Sequence, residues 1–97
     1  MNDNKLFKQN EDGSITLFFK EGDPIKVGDK ELTEITMRKP LARDMRAVTS
    51  MGLPDQVAVD MTMASNLADL HATLDDMDKW PGSAVTRITM ALRDFLY

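Results

Sequence analysis

The sequence contains no cysteine, which excludes disulfides, thiolate nucleophiles and thiolate metal sites. It has one histidine, His71, so no multi-histidine metal centre can form and any Ser-His catalytic arrangement would have to run through that residue. No apolar run approaches the ~20 residues a membrane-spanning helix needs, and the opening "MNDNKLFKQNEDGS" lacks a signal-peptide core. The expected location is therefore the cytoplasm, with no membrane partner. G-x-S-x-G, a phosphate-cradling glycine loop and H-E-x-x-H are all missing. The expectation is a non-enzymatic protein without cofactor or metal.

What remains is a chain of 97 residues, 42% hydrophobic, enough for one domain with a small core. Its net charge of −4 is unevenly placed. Residues 1–46 hold nine Lys/Arg against nine Asp/Glu, whereas residues 47–97 hold three basic residues against seven Asp. Phosphate contacts need clustered Lys/Arg, so the acidic half argues against a nucleic-acid surface. It reads as a solubilising face or as ground for a basic partner.

Residues 1–13 are polar apart from Leu6 and Phe7 and read as a flexible N-terminal arm. Residues 14–97 read as a single domain, with strands over about 14–38 and helices over about 40–96. "SITLFFK" alternates, with Ile15, Leu17 and Phe19 on one face. "EGDP" and "GDK" are turns around the short strand "IKV". In "ELTEITMR", Ile35 and Met37 face one way and Glu34, Thr36 and Arg38 the other. Leu32 is out of phase, so the strand begins at Thr33 or a bulge intervenes. A small N-terminal antiparallel meander of two to three strands follows.

At Lys39-Pro40 the period changes from strand to helix. Lys39, preceding proline, is pushed towards extended backbone, and Pro40 suits position N1 of a helix. Leu41, Met45 and Val48 then lie on one stripe, ended by Gly52-Leu53-Pro54. Pro54 can open the next helix with Asp55 in its first turn. Met61, Ala64, Leu67, His71, Leu74 and Met77 keep helical spacing to about Asp78. This stretch is one long helix or, if Ser65-Asn66 interrupts it, two. After "WPGS", with Ser83 as a candidate N-cap, a last helix carries Val85, Ile88, Leu92 and Phe95 on one face. Strands first and three to four helices after make an α+β domain.

"LDDMDKWPGS" does not fit a calcium loop, because counting from Asp76 or Asp78 puts neither glycine sixth nor glutamate twelfth. His71, beside the apolar stripe, reads as a partly buried structural residue. Arg43 and Asp44 read as partners for strand residues such as Glu34. The unusual residue is methionine, present eight times; it fills core gaps, and it also makes adaptable binding surfaces. Met63 lies off the stripe through Met61 and Ala64 and would form an apolar patch beside Val59 if exposed.

The stretch "KVGDKELTEITMRKPLARDMRA" resembles the tail assembly chaperone family of Mu-like and P2-like contractile-tailed bacteriophages. The resemblance is carried by Gly28, Leu32, Ile35, Met37, Arg38, Pro40 and Asp44, and departs at Arg43, where many members have glycine. It implies a chaperone made in the bacterial host that binds the phage tape measure protein and helps recruit tail tube protein around it. It also implies absence from the mature virion, and often a longer form produced by ribosomal frameshifting. The alternative is a structural tail or baseplate component retained in the virion. In the chaperone reading, Met45, Met51, Met61, Met63 and Met77 form the expected partner-binding surface, on a monomer or a homo-oligomer.

Overall fold

A computed structural model describes residues 6–96. It is an α+β structure in which β1 (Phe7–Gln9), β2 (Ile15–Phe18), β3 (Ile25–Val27), β4 (Lys30–Leu32) and β5 (Glu34–Met37) precede α1 (Ala42–Thr49), α2 (Gln56–Leu67), α3 (Leu74–Asp78) and α4 (Gly82–Leu96). β1, β2 and β5 form one antiparallel sheet in that order, and β3–β4 is a separate hairpin inserted between β2 and β5. Alternation sets the inner face of the sheet: Ile15, Leu17, Ile35 and Met37 are all buried, and Leu17 pairs with Ile35. The outer face is polar apart from half-buried Phe18, and there Thr16 and Thr36 share a 3.0 Å hydroxyl–hydroxyl hydrogen bond.

The hairpin resolves the phase of Leu32. It belongs to β4 and lies opposite Ile25, so Thr33 separates two strands that belong to different sheets. The arm expected over residues 1–13 needs correction. Residues 1–5 lie outside the described residues, but Phe7 lies in register with Leu17 and its half-buried ring packs on the core, drawing Phe7–Gln9 into the sheet. Phe7 acts together with the Leu6 carbonyl, which accepts from the Phe18 N–H at 2.9 Å, and with the Asn10 side chain, which donates to Ser14 and Thr16.

α4 packs across β2 and α2, and α2 is enclosed on most sides. Five successive residues, Met61 to Ser65, are buried there. An enclosed helix needs no polar face, which is why its sequence reads poorly as amphipathic. Asp55 caps this helix, its carboxylate accepting from the Ala58 N–H at 2.8 Å, in place of the first-turn position expected for it. The interruption comes at Leu67, two residues after Ser65. Ser65 does not break the helix; its carbonyl accepts from Leu70 N–H and its hydroxyl from Ala72 N–H, stitching down the connection to α3.

Within that connection Asp69 and His71 adopt left-handed backbone, with φ of 55° and 57°. His71 is therefore not on a helical stripe: its side chain is exposed, with Nε2 2.9 Å from Asp69 Oδ1. Ser83 also departs from expectation. α4 already begins at Gly82, and the Ser83 hydroxyl donates to Asp23 beyond β2 at 2.7 Å.

Two further bonds tie the β-region to the helices. Arg87 Nη1 donates to the Phe18 carbonyl at 3.0 Å, and the indole N–H of buried Trp80 donates to the Lys26 carbonyl in the hairpin at 2.8 Å. Trp80→Phe removes that donor from a packed site and leaves the carbonyl unpaired. The expected cost is about 1–2 kcal/mol, read as a thermal midpoint lower by roughly 4–16 °C; an unchanged midpoint would show that the hairpin is held by other contacts.

Candidate functional site

The junction between β5 and α1 is built around Asp44. Its carboxylate faces the Arg38 guanidinium in a fork, with Nη1 to Oδ2 at 2.8 Å and Nη2 to Oδ1 at 2.6 Å. Oδ2 also accepts from the Leu41 backbone N–H at 2.7 Å. Leu41 is the N-cap residue but has no side-chain acceptor, so Asp44, at N3, supplies the reverse half of a capping box alone. The Arg38 guanidinium beside Asp44, followed by the Leu41 N–H, holds the Asp44 carboxyl down at about 2. The Arg38 backbone N–H donates to the carbonyl of Leu67 at 3.0 Å, fixing the end of β5 against the end of α2.

This geometry corrects three expectations. The partner of Asp44 is Arg38, and Arg43 stays exposed. Leu41 is extended, with φ −114° and ψ 163°, so Pro40 precedes the N-cap and is not N1. The stripe of Leu41, Met45 and Val48 does not face inward as a unit, because only Asp44 and Val48 of α1 are buried. With the ion pair occupying the inward position, the helix is turned so that Leu41 is 50% and Met45 47% exposed. Met51, just past the helix, is 53% exposed.

The five methionines expected to form a binding surface are thus divided. Met45 and Met51 lie at the surface of α1 and its exit. Met61, Met63 and Met77 are buried in the core at 6%, 5% and 3% exposure and are corrected to packing residues. Met63 in particular forms no surface patch with Val59. The motif residues are dispersed by role. Ile35 and Met37 are core, Leu32 and Pro40 are half-buried, and Arg38 and Asp44 form the junction. Gly28 turns the β3–β4 hairpin at φ +62°, where a side chain would be strained. The site residue not named in advance is Leu41; its signal was Asp44, a carboxylate on the supposed inward side of α1 within reach of a strand arginine.

Residues 15–96 match the family described as phage tail assembly chaperone proteins, E, or 41 or 14. The chain belongs to this family. No curated protein and no solved structure matches it. The matched region begins at β2 and includes the whole Arg38–Asp44 junction and α1. A tail assembly chaperone acts on phage tail proteins, so the question for its surface is where such a protein docks. Among the described residues the large apolar side chains most exposed are Leu41, Met45, Met51, Val57, Leu74 and Met90. Three of these six belong to α1 and its two ends, whereas Val57, Leu74 and Met90 stand on other helices.

Proposed function

We propose that this chaperone binds the phage tape measure protein through α1 and keeps it dispersed while tail tube subunits assemble around it. It catalyses no reaction, works in the cytoplasm of the bacterial host and is left out of the finished virion. The observation that carries this reading is the half-exposure of Leu41, Met45 and Met51 along a short helix and its two ends, with the helix orientation fixed by a buried carboxylate. A tape measure protein is a long helical client with apolar faces, and a helix of another chain can lie along such a patch. Thioether side chains repack around varied apolar partners. The small patch gives modest affinity per site, which suits a client that must later be handed to tube subunits.

Co-expression with the tape measure gene of the same phage tests the proposal. The expected outcome is a larger soluble fraction of tape measure protein and a complex that co-purifies. No gain in solubility together with no complex would overturn it. Mass spectrometry of purified particles addresses the competing role, because a structural tail or baseplate component would be found there.

A further inference from the structure

Resting on that reading of α1 as the docking helix, we propose that the segment it selects is an amphipathic helix whose apolar face is edged with Asp and Glu, held by Arg43 and Arg46. The acidic charge of the whole chain suggests a basic client, but the local surface carries the opposite sign. Arg43 and Arg46 are exposed on α1, and among the described residues neither takes part in an ion pair. The one acidic residue of α1, Asp44, is buried and engaged by Arg38 and the Leu41 N–H.

Arg46 lines a shallow hollow with Met45, Thr49 and Ser50, and a second hollow with Arg43, Ala47 and Ser50. The apolar ground around Met45 is therefore bordered directly by the Arg46 guanidinium, with Arg43 in the adjoining hollow. Guanidinium forks pair with carboxylates in fixed geometry and keep their charge at any working pH. Rim charges of this kind add more to choice of partner and rate of encounter than to affinity. A client helix edged with lysine would meet like charge at the same border, and that repulsion is itself a source of selectivity.

Two synthetic amphipathic peptides with one shared apolar face, edged by Glu in one and Lys in the other, test this against the full chain by fluorescence anisotropy. The Glu-edged peptide is expected to bind about fivefold more tightly at low salt, the scale of two exposed ion pairs. The preference should fade towards 1 M salt, where charges are screened beyond about 3 Å. Arg43→Glu with Arg46→Glu should reverse it, with an unchanged thermal midpoint confirming the fold. Equal binding, a Lys preference, or a preference that survives the double variant would overturn the proposal. So would a salt-sensitive dimer dissolved by the double variant in the absence of any peptide preference, which would assign the arginines to the acidic face of a second copy. Failure of tape measure rescue with an intact Glu preference removes only the identity of the client. Rescue without any charge preference removes only this inference.

Discussion

Replacing Asp44 by alanine is expected to lower the stability of the chain by about 2 kcal/mol, and its thermal midpoint by roughly 8–16 °C. The substitution removes the carboxylate that caps α1 through the Leu41 N–H and that receives both prongs of Arg38. The loss stays below the several kcal/mol of a fully buried pair because Arg38 is 46% exposed and recovers water when its partner is gone. Asp44→Asn keeps an acceptor of the same size without the charge and should cost about half as much.

The same pair makes stability depend on acid. The Asp44 carboxyl titrates at about 2 in the folded chain, against 3.8 for an ordinary aspartate. A folded value below the unfolded one means that the unfolded chain takes up the proton first as pH falls. The contribution of Asp44 is therefore complete above about pH 4 and is lost as pH drops from there to about 2. Its ceiling is about 2 kcal/mol, reduced by solvent screening at the exposed guanidinium. Thermal melts followed by circular dichroism should fall more steeply below pH 4 for the natural chain than for Asp44→Asn. Parallel curves would mean that the pair contributes nothing.

The second large effect is functional and leaves the fold alone. Changing Leu41, Met45 and Met51 together to serine should abolish rescue of the tape measure protein in the co-expression assay. Each of these side chains is about half exposed, so Met45 and Met51 should each change stability by no more than about 0.5 kcal/mol, while serine at the N-cap position of Leu41 should raise it by about 1 kcal/mol. Met61→Ser acts in the opposite sense. Met61 is 6% exposed in the core, and truncating it to a hydroxyl is expected to cost about 2–5 kcal/mol without touching the docking surface. A triple variant that still rescues the client at full strength would place the docking surface elsewhere, with Val57, Leu74 and Met90 the next residues to examine.

The parts of the fold readable from sequence are those where a period is clean. β2 and β5 alternate strictly, and α4 keeps Ile88 and Leu92 on its buried side. The failures have three physical causes. β1 is the first arm of a hairpin closed by the turn at Asn10–Ser14, and its polar residues Lys8 and Gln9 masked the pairing with β2. α2 is buried nearly all round, so residues on and off its stripe are alike in being inside, and Met63 could not be told from a surface residue. In α1 an ion pair replaced an apolar contact as the inward anchor. Hydrophobic spacing assigns Leu41 and Met45 to the core, and only the pairing of Arg38 with Asp44 shows that they lie outside. The candidate site was thus half legible: its methionine content could be read, but the face that presents it required the tertiary arrangement.

One of the two edge strands of the larger sheet, β1, has its own consequence. β1 pairs with β2 on one side, is three residues long, and carries Lys8 and Gln9 exposed. A long flat rim would offer unpaired backbone groups as a template on which further chains could stack into fibrils. A rim this brief, bearing a charge, gives such stacking little to grow from. A protein that accumulates beside a sticky client is then guarded from the same fate along this edge of its sheet.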